Sequence, residues 1–268
     1  MTVSMLATDM DGTLIPLPEA KSENTEDLQL LKDLIQCREI RLAYVTGRHR
    51  KSVEQAIREF NLPVPEFLVC DVGTTILQYR KSRGGFEDWP HYACHLHSIV
   101  ADQTVETVRE LCFDIRGLQP QEPEKQGPFK VSFYCERKQL TPIVDVIVHR
   151  LTRADSKWSV ISSVDPFNGQ GLIDVLPLGV SKAFALDYLA RKNELPSSSI
   201  IFCGDSGNDM AALTAGFRSV VVGNAPEELK SAVRSLHQKK GWNNRLFIAQ
   251  RYATSGVIEG VRHFLGES

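Results

Sequence analysis

Asp9-Met10-Asp11-Gly12-Thr13 closes the first apolar stretch of the chain, residues 3–8, and the reading of the fold turns on this junction. The apolar stretch reads as a strand, and Gly12 permits a sharp turn after it. Residues two apart in extended chain point to the same side, so the carboxylates of Asp9 and Asp11 are expected to face one cavity. Two acids that close repel unless a cation or a shared proton relieves them, which makes a hard divalent metal the natural companion of both. Taken alone, the same five residues also read as a strand running into an Asp-Gly turn.

Outward from the junction, short apolar runs alternate with amphipathic stretches. A helix is expected over residues 25–36, a strand over 40–45, a helix over 49–60 and a strand over 66–70. That rhythm belongs to a parallel sheet with helices on its faces. From Arg83-Gly84-Gly85 the texture changes. A helix near 99–111, a half-buried strand over 130–135, a helix over 142–151 and strands near 158–162 and 172–176 make a small α+β unit. The βα rhythm then returns, with a helix over 181–191, a strand over 199–203, a helix from Asn208, a strand over 219–222 and a last helix near 257–264. The expected fold class is α/β, a Rossmann-like parallel-sheet core with an inserted smaller α+β cap. The expected boundaries are 1–82 for the first part of the core, 83–172 for the cap and 173–268 for the second part of the core.

Composition narrows the partners. The 31 basic and 33 acidic residues leave a formal charge of −2, which provides no broad basic field for nucleic acid or an anionic membrane and favours a small-molecule substrate. No apolar run approaches the length of a bilayer span, and no N-terminal stretch has the form of a secretion signal. Cys37, Cys70, Cys94, Cys112, Cys135 and Cys203 lack the paired spacing of a zinc ribbon or redox motif, so reduced thiols in a cytoplasmic protein are expected. A monomer is the working expectation. The stretch from His91 to His97 contains ligand-type side chains without a second ligand pair at zinc spacing. The basic run Arg48-His49-Arg50-Lys51 reads as a helix start beside a phosphate site rather than a nucleic-acid contact.

Three further segments carry chemistry. Gly204-Asp205-Ser206-Gly207-Asn208-Asp209 lies where an apolar strand meets a helix, and ligands of open α/β sheets bind at the carboxyl ends of strands. Asp205 is suited to hold a metal, with Asp209 and Asn208 orienting its waters; the same residues also suit a turn that caps a helix. Thr46-Gly47-Arg48 ends another strand and offers a hydroxyl and backbone N–H groups to an anion. Lys182, just inside a helix after Gly179-Val180-Ser181, offers a point positive charge to a phosphoryl oxygen.

In this order, and each at a strand end or helix start, these four segments resemble the motif set of the haloacid dehalogenase-like hydrolases. The resemblance implies a phosphatase with Asp9 as nucleophile and Asp11 as general acid and base. It implies phosphate contacts at Thr46, Gly47, Lys182 and Asn208, and a magnesium ion (Mg2+) among Asp9, Asp11, Asp205 and Asp209. Several longer stretches are similar to sucrose-phosphate phosphatases. They are Asp71-Val72-Gly73-Thr74-Thr75-Ile76, Pro128-Phe129-Lys130-Val131-Ser132-Phe133-Tyr134, Ile173-Asp174-Val175-Leu176-Pro177, and the run from Tyr252 to Gly260. They imply a sugar phosphate as substrate, sucrose 6-phosphate first. Phosphates of mannosylfructose, glucosylglycerol or kanosamine, a broad sugar specificity, a phosphotransferase and a silent sugar-phosphate sensor stand as alternatives. Arg48, Lys130, Asn168 and Gln170 are the candidates to read the sugar. The chain departs from that family at Gly12-Thr13, where a bulkier pair is common, and in a longer loop over residues 162–171.

Overall fold

Four apolar segments explain the centre of the molecule: β1 (Met5–Thr8), β2 (Arg41–Val45), β3 (Phe67–Cys70) and, much later, the strand Ile200–Gly204 are buried almost throughout. Strands covered on both faces read as continuous apolar runs, as parallel strands under helices do. The structure, a computed structural model, describes residues 3–17, 24–165 and 167–267. The remaining strands are β4 (Thr75–Arg80), β5 (Gly85–Asp88), β6 (Gln119–Pro120), β7 (Val131–Cys135), β8 (Trp158–Val164), β9 (Gly171–Pro177), β10 (the strand Ile200–Gly204), β11 (Arg218–Val221) and β12 (Leu246–Ile248). The helices are α1 (Asn24–Cys37), α2 (Arg50–Glu59), α3 (Tyr92–Val100), α4 (Val105–Cys112), α5 (Leu140–Arg153), α6 (Lys182–Lys192), α7 (Met210–Leu213), α8 (Glu227–Lys239) and α9 (Ala253–Leu265).

An eight-stranded sheet runs β12-β11-β10-β1-β2-β3-β4-β5. It is parallel from β12 to β3 and antiparallel across β3-β4-β5. Alternate residues of each strand enter two different cores, as the two-residue period of a strand requires. Leu6, Leu42, Tyr44, Leu68 and Ile201 pack into one core with residues of α1, α2 and α9. Met5, Ala7, Ala43, Phe67 and Phe202 pack into the other with α3 and α6. That second core continues without a break into Val131, Phe133, Ile143, Trp158, Ile173 and Val175 of the smaller unit, an antiparallel sheet in the order β6-β7-β9-β8 with α4 and α5 against it. The cap is therefore seated on one face of the core by shared apolar burial.

The expected α/β class matches this architecture, while the two sheets divide the chain at other points than 82/83 and 172/173. Arg83 and Gly84 lie in the turn of the β4–β5 hairpin, with Gly84 at φ +62, and Gly85 opens β5, so the large sheet continues through Asp88. A Gly-rich turn looks the same in sequence whether it links domains or closes a hairpin. Position 172 lies inside β9, which pairs with β7 and β8 up to Pro177. The single helix expected near 99–111 is two helices, because α3 ends at Val100, the next residue Ala101 taking φ +54, and α4 starts after Thr104. Pro166, in the loop noted above, lies outside the described residues. Among the described residues no helix is long and apolar enough to cross a membrane.

Candidate active site

β1 stops at Thr8, and the Asp9 amide still donates to the Cys203 carbonyl at 2.9 Å, so Asp9 is held at the carboxyl edge of the sheet between β1 and β10. The chain then turns. Gly12 takes φ +78, and the amides of Leu14 and Ile15 both donate to the Met10 carbonyl, at 2.8 and 2.7 Å. This turn carries Thr13 back under the β10 end, where its hydroxyl donates to Asp205 Oδ1 at 2.7 Å. A β-carbon on Gly12 would stand 2.3 Å from Asp205 Oδ2, so the approach of these two loops requires glycine.

Asp209 is placed by the first turn after β10. Its Oδ2 accepts from the amides of Asp205 and Ser206, both at 3.1 Å, in a reciprocal capping arrangement with the Ser206 hydroxyl. Lys182, the first residue of α6, is wholly buried and reaches Asp9 Oδ1 at 2.9 Å and Asp209 Oδ1 at 2.7 Å. Burial would push this ammonium toward neutrality, but Asp209 and Asp9 outweigh it and hold its pKa above the ordinary lysine range. Burial, then Asp209, raise the Asp9 carboxyl well above the usual carboxylate range, with Lys182 opposing. Burial and Asp209 push Asp205 up to about 7 against its bond from Thr13.

One carboxylate oxygen from each of Asp9, Asp205 and Asp209 lies within 4.8 Å of the others. Three buried acids share one ammonium, an excess of acid that protons or a cation must relieve, and the donors are all oxygen. That donor set fits a hard divalent cation. The Asp11 carboxylate, expected beside them, lines the same cavity but is engaged by Arg48 in a two-pronged pair, Nε to Oδ2 and Nη2 to Oδ1, both at 2.6 Å. The planar guanidinium fork matches a carboxylate, and it draws Asp11 to the β2 side of the cavity.

The cavity, of about 360 Å³, lies between the carboxyl edge of the large sheet and the cap. Asp9, Thr46, Gly47, Arg48, Asp205 and Asn208 form its floor. Thr46 is 2 % exposed, and its hydroxyl oxygen accepts from the Arg48 amide at 3.2 Å. From the cap side come Lys130, Gln121, Lys125, Asp165, Phe167 and Asp174. Lys130 is 3 % exposed and pairs across the interface with Asp71 at 3.2 Å. Asp71 begins a run of three residues at positive φ, ending at Gly73, where a β-carbon would meet the Ser181 carbonyl at 2.3 Å. The strained turn after β3 is thereby locked against the residue preceding Lys182.

Of the sugar-reading candidates, Arg48 and Lys130 face the cavity. Asn168 and Gln170 do not line it; they are exposed and bond to each other, the Gln170 amide donating to Asn168 Oδ1 at 2.9 Å. Gln121, Lys125, Asp165 and Asp174 escaped the sequence reading as site residues. Asp174 left a signal, a lone acid in an apolar strand, and it faces Ser132 in register, whose hydroxyl donates to it at 2.5 Å.

A profile of the Sucrose-6F-phosphate phosphohydrolase family matches residues 2–265. The chain belongs to that family. It is a phosphatase of the haloacid dehalogenase-like fold. A sucrose-phosphatase from Synechocystis sp. PCC6803, solved in complex with sucrose and phosphate, superposes with a TM-score of 0.79 at 26 % identity over 98 % of both chains. A putative HAD-like hydrolase of Nitrosococcus oceani is 33 % identical over 98 % of this chain and 72 % of its own length. The mannosylfructose-phosphate phosphatase of Agrobacterium fabrum is 27 % identical over 97 % of this chain and 96 % of its own. The chain spans 59 % of the probable sucrose-phosphatase 2 of Arabidopsis thaliana.

Proposed function

We propose that this family member is a magnesium-dependent phosphatase that hydrolyses a sugar phosphate through an aspartyl-phosphate on Asp9, with sucrose 6-phosphate as its substrate. The observation that carries this reading is the Asp9 carboxylate, buried between Lys182 and two further acids and opening onto a cavity whose other wall is polar cap. Asp9 would attack phosphorus in line as the bond to the sugar oxygen breaks, and Asp11 would deliver a proton to that leaving oxygen. Asp11 would then take a proton from water as the water attacks the aspartyl-phosphate, releasing phosphate and restoring Asp9. Both Asp11 oxygens are held by Arg48, so proton delivery requires substrate to open that pair.

Lys182, the Thr46 hydroxyl, the Gly47 amide and Asn208 are suited to hold the phosphoryl oxygens as charge builds on them. Asp9, Asp205 and Asp209 would hold the metal, which when bound neutralises phosphoryl charge. Lys130, Asp174, Gln121 and Lys125 offer the donors and acceptors to read sugar hydroxyls. The six unpaired cysteines agree with the cytoplasmic location included in this reading.

The test compares kcat/KM for sucrose 6-phosphate, mannosylfructose phosphate, glucosylglycerol phosphate and single-sugar phosphates, with and without magnesium, and with a second sugar added as acceptor. Preference for sucrose 6-phosphate with water as acceptor supports the reading. Preference for mannosylfructose phosphate would move the chain to the activity named for its Agrobacterium relative, and phosphorylated acceptor among the products would make it a phosphotransferase. In Asp9→Asn, magnesium-dependent turnover is expected to vanish while the fold persists; retained turnover excludes Asp9 as nucleophile.

A further inference from the structure

The parallel strands place the active site at their carboxyl ends, and a second cavity, of about 510 Å³, lies at their amino ends. It is lined by Ser198, just before β10, by Arg218, the first residue of β11, by Asn244 and Arg245, just before β12, and by the end of α9 from His263. Arg218 is only 7 % exposed. Among the described residues its guanidinium has no carboxylate partner. It makes one long bond, Nη1 to the Phe264 carbonyl at 3.4 Å, and lies 5.6 Å from the Phe264 ring centre.

Arg245 is likewise without a carboxylate among the described residues. Its Nη1 donates to the Gly216 carbonyl at 2.7 Å, and its guanidinium lies 5.6 Å from the Trp242 ring centre. Glu267, next along the chain after Gly266, is taken by Arg38. The carbonyl end of α9 supplies partial negative charge, but its last turn already carries Arg262 and His263. Buried charges in folded chains are paired, and a lone guanidinium facing a cavity with a second one is the reverse of that rule. Burial, then the charge of Arg245, lower the Arg218 pKa, which agrees with a cation short of counter-charge.

We propose that this cavity is an anion site, in which Arg218 and Arg245 clamp a phosphate group. The hydroxyl of Ser198, the amide of Asn244 and the imidazole of His263 surround the same space. A guanidinium pair supplies the charge and fork geometry that a dianionic oxyanion needs. The volume exceeds what one phosphate requires, so the group can be free or carried on a small sugar.

The experiment is calorimetric titration of the full chain with inorganic phosphate, in magnesium and at constant ionic strength, for the wild type, Arg218→Met and Arg245→Met. The wild type should show two binding events. One should weaken at least ~10-fold in each variant, the loss of a charge-assisted hydrogen bond, while kcat and inhibition by phosphate are unchanged. Identical isotherms for wild type and both variants, or a single event that tracks the inhibition constant, would overturn the site. Arg245→Met, in the single helical turn before β12, keeps the test intact where Arg218→Met disturbs the start of β11. A second arm uses fructose 6-phosphate on the Asp9→Asn chain: tighter arginine-dependent binding than inorganic phosphate assigns a phosphorylated sugar, and weaker binding assigns the free ion.

Discussion

Replacing Gly12 by alanine tests whether the turn after β1 is what holds Asp205 in the acid cluster. The substitution has two separable costs. Gly12 sits at φ +78, and a side chain in that region costs roughly 1–2 kcal/mol. The added β-carbon would also lie 2.3 Å from Asp205 Oδ2 and 2.9 Å from its Cγ, so the carboxylate must move. Moving it breaks the 2.7 Å bond from Thr13, a charge-assisted hydrogen bond worth roughly 1.5–3 kcal/mol. The sum is about 2.5–5 kcal/mol of folding stability.

Gly179 supplies the control. It has nearly the same backbone, φ +79, and a β-carbon there meets nothing within 4 Å, so Gly179→Ala should lose only the backbone cost of about 1–2 kcal/mol. Urea unfolding in chelator, at a pH above the Asp205 value of about 7 so that its carboxylate is ionised, measures both variants. Magnesium titration of turnover supplies the second readout: a displaced supporting contact weakens metal affinity roughly 10–100-fold, and this is expected for Gly12→Ala alone. If Gly12→Ala loses no more stability than Gly179→Ala and keeps the wild-type magnesium midpoint, the claim that Gly12 shapes the metal cluster fails.

Lys182→Met should lower kcat roughly 100–1000-fold and cost roughly 3–5 kcal/mol in chelator, because it strands two buried acids; a variant that keeps its turnover would remove Lys182 from the phosphate contacts. The pH dependence follows from Asp205. Its metal-free folded pKa of about 7 lies above the unfolded value near 3.9, so the folded chain holds the extra proton, and that stability is complete below the unfolded value and lost as pH rises toward about 7. In chelator the melting temperature should therefore fall from mildly acidic to neutral pH, with magnesium restoring more at the upper end; equal restoration throughout contradicts this. Lys130→Met should raise KM for the preferred sugar phosphate roughly 10–100-fold and spare hydrolysis of a small aryl phosphate, whereas equal losses on both substrates would place Lys130 outside sugar recognition.

The chemical floor of the site was legible because each of its parts is a short local pattern. Asp9, Thr46 and Asp205 each stand directly after an apolar run, and Lys182 opens a helix behind the Ser181 cap. The cap wall was less legible. Gln121 and Lys125 come from a segment of two-residue strand and single turn, where no period marks which side chains face inward. Asn168 and Gln170 have the right chemistry, but their loop folds on itself and satisfies them locally. β12 is a three-residue edge strand and α8 buries only Leu229, Val233 and His237, so neither leaves a strong sequence signal. The two-arginine cavity joins strand starts and a helix end far apart in sequence, a juxtaposition that only the parallel topology creates.

Asp11 shows how far a correct local rule reaches. Side chains two apart share a side only while the chain stays extended, and here extension ends at Thr8, before either acid. Asp9 keeps one ladder bond and stays with the sheet edge. Asp11 belongs to the turn that Gly12 permits, so it enters the same cavity from another direction and meets Arg48 rather than the acid cluster. The separation suits the proposed division of labour. A nucleophile needs the ammonium and the metal donors beside it, whereas a proton carrier must reach the leaving oxygen and exchange partners during the cycle. A carboxylate fixed in the cluster by Lys182 lacks that freedom, while one held by a single guanidinium at the cavity wall can release it when a sugar phosphate arrives.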